Sequence, residues 1–260
     1  MKKKKESILN SEDKRLADGS IVYENFSIRY NSKIALKRIN LNIKSGEKVL
    51  ICGRTGSGKT TLATSIFNIR EKDTIKGDIK IGGHSIFNIS LKSLRSQLTI
   101  IPQQISVFND TLRFNLDPTG EIDDEILWES LANADLYEYF ANQNKKLDTI
   151  CSDKNLSRGQ MQLICLARAS LRKSKIVVLD ESSSSLDELT SKKINNYDFS
   201  KGTTILAVAH RIFSFLHFDR VIVLEKGNLV QDEPLQEAVR NVGSPFYKMH
   251  MEESKKINSV

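Results

Sequence analysis

Residues 53–60 read GRTGSGKT, the G-x-x-x-x-G-K-[ST] spacing of a loop that grips phosphate, and they follow an apolar run, KVLIC, at residues 48–52. The chemistry needs these residue types in this order. Gly53, Gly56 and Gly58 let the chain curl so that successive amide N–H groups, those of Arg54, Thr55 and Ser57 among them, point inward at phosphate oxygens. Lys59 can then reach the β- and γ-phosphates and Thr60 can ligate Mg²⁺. Thr60 and Thr61 continue into a helix expected over residues 59–69, which turns its positive end toward the anion. A chance glycine-rich turn is the competing explanation; strand, loop and helix in sequence argue against it.

IVVLDE at residues 176–181 carries the second set of chemical groups. Four apolar residues suit a strand buried on both faces of a parallel sheet, and two carboxylates would then emerge at its C-terminal edge, where open α/β sheets place ligands. Asp180 would hold the metal through its water shell, and Glu181 would polarise a water for attack on the γ-phosphate. Acidic residues after a strand are common; the phosphate loop upstream is what gives this pair meaning.

Leu156, Ser157, Arg158, Gly159 and Gln160 form a third element, LSRGQ. Ser157 with Gln160 three residues later fits a capping box, and Leu163, Leu166, Ala167, Ser170 and Leu171 follow at the spacing of an amphipathic helix. The motif therefore opens a helix, and a helix N-terminus with a serine hydroxyl and a glycine is an anion site. One chain seldom needs two such sites for one triphosphate. An ordinary N-cap is the plain alternative.

Taken together, the phosphate loop at residues 53–60, LSRGQ at 156–160, VVLDE ending at Glu181 and AVAHR containing His210 resemble the nucleotide-binding domain of an ATP-binding cassette (ABC) ATPase, over about residues 19–251. The resemblance implies roles for further residues. Tyr30, in FSIRY, resembles the aromatic that stacks on adenine, and its plain alternative is a core aromatic. Gln103, in IIPQQ, resembles the Q-loop glutamine that senses Mg²⁺ and couples to a transmembrane partner, with Gln104 competing for the role. His210 resembles the switch histidine that contacts the γ-phosphate and holds Glu181 and water, and its alternative is a solvated residue at a strand end. Ser185, Leu186 and Asp187 resemble the D-loop that crosses the dimer interface, although the serine run there also suits a simple loop. Within the family, VFNDTLRFNLDP at residues 107–118, LICLARASLRKSKIVVLDE and SPFYKM resemble the multidrug-resistance-associated C subfamily, its second cassette in particular.

The resemblance implies an ATPase that powers export. Two cassettes sandwich two ATP molecules head to tail, LSRGQ of one capping the γ-phosphate on the loop of the other. The cofactors implied are ATP and Mg²⁺. The partners implied are a second ABC cassette, the same or different, and transmembrane domains in the same native polypeptide or a separate chain. The place implied is the cytoplasmic face of a membrane. Departures attach to the signature: Arg158 replaces a small or apolar residue, SDKN before it is short, and Met161 stands where a basic residue is common. They keep open an ATP-binding regulatory cassette with weak or no hydrolysis. A soluble ABC protein of translation or chromosome maintenance is the remaining alternative; the first carries two cassettes and the second long heptads, and neither pattern is present.

Composition agrees. With 260 residues, 39% of them hydrophobic, the chain has enough for one good core but not for two cassettes. No run approaches the roughly eighteen apolar residues of a membrane span, and no secretory pattern opens the sequence, so the expectation is a soluble chain. Cys52, Cys151 and Cys165 lack metal spacing and suit a reducing compartment. The net charge of +7 owes much to Lys2–Lys5, read as a solvated tail; no basic stripe with interleaved aromatics supports nucleic-acid binding.

The fold expected is α/β: a P-loop NTPase (RecA-like) core with an antiparallel β layer and a helical subdomain carrying the ABC signature. Residues 1–19 form a charged flexible tail, 20–251 the ABC ATPase domain with its helical subdomain at about 105–172, and 252–260 a C-terminal tail.

Overall fold

The computed structural model describes residues 15–31, 33–69, 74–102, 107–180, 197, 199, 201–209 and 212–257. Short runs of consecutive apolar residues become a central sheet. It contains β3 (Lys48–Cys52), β6 (Leu98–Ile101), β9 (Ile176–Asp180), β10 (Thr204–Val208), β11 (Arg220–Glu225) and β12 (Asn228–Pro234), ordered β12-β11-β3-β10-β9-β6. All neighbours are parallel except the edge hairpin β11–β12. Every residue of β10 is buried, as is all of β9 before Asp180, which is why these segments show no polar alternation.

The side-chain alternation instead divides the core. Leu50, Val177, Leu179, Ile205 and Ala207 join the cluster on one face of the sheet. Val49, Ile51, Ile176, Val178, Leu206 and Val208 join the cluster on the other. The second face is covered by an antiparallel sheet made of β1 (Ile21–Tyr30), β2 (Lys33–Ile43), β4 (Ile75–Ile81) and β5 (His84–Ser85), ordered β2-β1-β4-β5. It contributes Ile21, Tyr23, Phe26, Ile28, Leu36 and Ile39. Two short helices, α1 (Lys59–Ser65) and α2 (Leu91–Ser96), supply Leu62, Ala63 and Leu94 to the same cluster.

The first cluster extends into the helical subdomain: α3 (Leu112–Leu116), α4 (Asp124–Asn133), α5 (Tyr137–Ala141) and α6 (Arg158–Leu171), with a small antiparallel pair of β7 (Asp110–Thr111) and β8 (Ile150–Cys151). The chain ends in α7 (Leu235–Ala238) and α8 (Pro245–Ile257).

Four details differ from expectation. Helix α1 stops at Ser65, short of residue 69, because Phe67 and Asn68 bond back three residues, to Thr64 and Ser65, and Asn68 turns left-handed at φ 49°. The middle of helix α6, residues 162–167, is buried all round rather than along one stripe, with Gln162, Ile164 and Cys165 also covered, because it lies between α3, α4 and β6. Within residues 15–19, assigned to a tail, Leu16 and Gly19 are buried: Leu16 is 3% exposed and its N–H donates to Gln97 Oε1 at 2.7 Å. Helix α8 runs six residues past 251, and Glu253 accepts from the Ile212 N–H at 2.7 Å. No helix among the described residues is long and apolar enough to cross a membrane.

Candidate functional site

Parallel pairing brings the C-terminal ends of the central strands to one edge: Val208 lies opposite Ile51 and Asp180, and Val223 opposite Cys52. Strand β3 sits between β10 and β11, neither its neighbour in sequence, and such a switch point leaves a crevice at the carboxyl edge. Residues 53–58 emerge there.

The loop's conformation depends on glycine at two positions above all. Gly53 has φ 142°, and a Cβ on it would lie 2.3 Å from Leu224 O and 2.6 Å from Ser57 Oγ. Gly58, at φ 108°, caps α1, and its Cβ would lie 2.8 Å from both Ala35 O and Leu36 Cδ2. No side chain caps that N-terminus. Arg54, Thr55 and Gly56 are exposed, whereas Ser57 and Lys59 are buried.

Two groups in the loop are prepared for an anion. Ser57 Oγ is buried without a hydrogen-bond partner among the described residues, a cost that a ligand oxygen would remove. Lys59 is 5% exposed; its ammonium donates to Gly53 O at 2.8 Å and to Arg54 O at 3.2 Å, so it folds back over the loop. Burial lowers its pKa below the usual lysine value, against the opposing pull of Cys52 and Asp180.

Beside the loop, the Thr60 hydroxyl donates to Asp180 Oδ1 at 3.3 Å. An all-oxygen pair at that spacing fits a hard divalent cation such as Mg²⁺. A cavity of about 810 Å³ opens from the loop toward Tyr30, lined also by Lys33, Ile34, Thr55, Thr61, Lys226 and Gly227. Tyr30 Oη lies 3.5 Å from Thr61 Oγ1. Tyr30 therefore lines the same cavity as the loop, half-buried and packed against the core cluster on that face.

LSRGQ opens α6. Ser157 Oγ accepts from the Gln160 N–H at 3.1 Å and the Ser157 N–H donates to Gln160 Oε1 at 2.9 Å, which completes the capping box. Leu156 is buried; Ser157 and Arg158 are exposed, and Gly159 and Gln160 half-exposed. None of these five residues lines the cavity on the phosphate loop. This chain thus brings Tyr30, residues 53–61 and Asp180 together and leaves the signature facing outward. Gln103 and its competitor Gln104, Glu181, Ser185, Leu186, Asp187 and His210 lie outside the described residues.

Sequence reasoning passed over two residues of consequence. Asn115, 0% exposed, accepts from Phe108 N–H at 2.8 Å and from Arg168 Nη2 at 3.1 Å, and donates to Phe108 O at 2.9 Å and Thr111 O at 3.0 Å. It ties the segment after Gln103 to the signature helix, and no local pattern reveals a contact across 53 residues. Gly227, in the cavity wall, sits in KGN between two strand-like runs, a hairpin signal present in the sequence.

The family model described as ABC transporter matches residues 36–184. ATP-binding cassette sub-family C member 3 of Rattus norvegicus is 41% identical over 244 residues, covering 89% of this chain and 15% of that protein. Metal resistance protein YCF1 of Saccharomyces cerevisiae is 39% identical over 243 residues, 91% of this chain and 16% of that protein. The chain thus spans only a small part of these relatives' length. A chain of a bacterial Atm1-family ABC exporter with ATP bound superposes with a TM-score of 0.85, covering 94% of this chain and 44% of that one; at 24% identity the likeness speaks to fold alone.

Proposed function

Because the chain belongs to the ABC transporter family, as one of its ATPase cassettes, we propose that it binds ATP between Tyr30 and the phosphate loop and hydrolyses it within a head-to-tail pair of cassettes. The observation that carries this is the buried Lys59 ammonium in a loop of phosphate-binding spacing, lining one cavity together with Thr60 and Tyr30.

Tyr30 stacks on the base, and the curled loop offers its amides and the Ser57 hydroxyl to the phosphates. Lys59 exchanges its bonds to Gly53 O and Arg54 O for β- and γ-phosphate oxygens. Thr60 and, through water, Asp180 are the residues that would hold Mg²⁺, which would neutralise phosphate charge during transfer. Glu181 orients the attacking water, held with the γ-phosphate by His210; Gln103 senses the metal. Ser157 and its neighbours cap the γ-phosphate on the partner's loop, which accounts for a signature turned outward from this chain's own cavity. Ser185, Leu186 and Asp187 run across that interface. ATP closes the pair and hydrolysis reopens it, a population shift passed to membrane-spanning segments that drive export. The cassette works at the cytoplasmic face of the membrane and spans about residues 16–257. The resemblance of VFNDTLRFNLDP, LICLARASLRKSKIVVLDE and SPFYKM favours the second cassette of such a transporter. Arg158, exposed in the first turn of α6, favours a second possibility: a cassette that clamps ATP but hydrolyses it slowly.

The test is ATP turnover of the purified chain and of Glu181→Gln, with gel filtration in ATP and Mg²⁺. Turnover by the wild type and an ATP-dependent dimer of the variant are expected. A wild-type rate no higher than the variant's sinks the hydrolysis claim, and a monomeric variant removes the self-complementary pair in favour of a different partner cassette.

A further inference from the structure

Lys226 and Gly227 are the central residues of the hairpin between β11 and β12; Glu225 pairs with Asn228 across them. Both have positive φ, 49° and 82°, as a two-residue type I′ turn requires. The turn bonds to the phosphate loop on one side and to β2 of the other sheet on the other. The Gly227 N–H donates to Ser57 O in the phosphate loop at 3.0 Å, and Gly227 O accepts from the Lys37 N–H of β2 at 2.8 Å. There is no room for a side chain: a Cβ on Gly227 would lie 2.7 Å from Ala35 O.

These bonds join the two ends of the cavity. Strand β2 pairs with β1, and Lys33 lies directly opposite Tyr30. Ser57 belongs to the loop at the other end. Along the chain, the whole of β2 and β3 separates Tyr30 from the loop, so their spacing depends on tertiary contacts, the one between Tyr30 Oη and Thr61 Oγ1 at 3.5 Å among them. Gly227 supplies a two-bond bridge at that place, and its own residue lines the cavity.

We propose that Gly227 is a positioning residue, a clasp that fixes the distance between Tyr30 and the phosphate loop and so sets affinity for ligands that must span both. The proposal rests on the assignment of this cavity to ATP. A ligand that uses only the phosphate loop does not depend on that distance; a nucleotide does.

The test measures dissociation constants of ATP and of inorganic tripolyphosphate for the whole chain in Mg²⁺, comparing wild type, Gly227→Ala, Tyr30→Ala and the double variant. Gly227→Ala is expected to weaken ATP by about tenfold or more while leaving tripolyphosphate within about twofold. The double variant is expected to bind ATP no more weakly than Tyr30→Ala, since the two act on one interaction. Equal losses for both ligands, no loss for ATP, or fully additive losses in the double variant overturn the clasp. Should Gly227→Ala show no folded melting transition, Lys37→Pro breaks the clasp from the β2 side by removing the donor; because the Lys37 side chain lines the cavity, it is compared with Lys37→Ala, and the difference between the two is held to the same outcomes. A wild type that binds no ATP overturns the ATP assignment and the clasp with it; a wild type that binds ATP beside a variant that loses nothing overturns the clasp alone.

Discussion

The Thr60 hydroxyl donates to the Asp180 carboxylate at 3.3 Å, so the residue after the phosphate-loop lysine touches the end of a strand 120 positions later. Metal dependence should pass through this pair. Asp180→Asn keeps the shape and removes the charge: ATP binding without Mg²⁺ should stay within a few-fold of wild type, while tightening by Mg²⁺ disappears and turnover falls by about a hundredfold or more. Titration of ATP with and without Mg²⁺ checks it; a variant that Mg²⁺ still tightens as it does the wild type contradicts the assignment.

Burial lowers the Lys59 pKa in the free protein, and phosphate beside it would raise the pKa again. The sign follows. Below the lowered value both states hold the proton and affinity is flat; between the lowered value and that of the complex, binding takes up a proton, and affinity falls by about tenfold per pH unit. Calorimetry in buffers of different ionisation enthalpy should register that uptake at alkaline pH. Lys59→Arg, charged throughout, should lose it.

The Asn115 side chain takes part in five hydrogen bonds with no exposed surface. Asn115→Ala leaves several buried groups unpaired, and the expected loss is about 3 kcal/mol in urea unfolding, since each stranded group costs on the order of 1–3 kcal/mol. The guanidinium of Arg168, which stacks over Phe108 at 5.6 Å, loses one anchor with it. A loss under about 1 kcal/mol contradicts the hub.

Burial pushes the Cys52 thiol up to about 12 from an ordinary value of 9.0. A folded pKa above the unfolded one means the contribution is complete below pH 9.0 and lost as pH rises toward about 12, because the unfolded chain ionises first. Stability should fall across that window, and less steeply in Cys52→Ala measured against its own neutral-pH value. Reaction of Cys52 with iodoacetamide should require unfolding.

Local features carry what the sequence shows about this chain. Lys48–Cys52 and Ile176–Asp180 announce themselves by unbroken apolar runs, and both are strands of the central sheet. The Ser157–Gln160 box spans four residues and forms as its spacing suggests. Features made by distant chain are not visible that way. The arrest of α1 at Ser65, the all-round burial of the middle of α6 and the packing of Leu16 against Gln97 each arise where another element arrives. Asn115 reads as one polar residue in a helical stretch, and Gly227 as a turn, until Arg168, Ser57 and Lys37 stand beside them.

The central claim is that each ATP is shared between the loop of one copy and the signature of another. Mixing two inactive variants, Lys59→Met and Ser157→Arg, tests it most directly, because a mixed pair holds one site with both halves intact. ATP turnover of the mixture should rise well above that of either variant alone. A wild type that turns over ATP beside a mixture as inactive as its components contradicts the shared site.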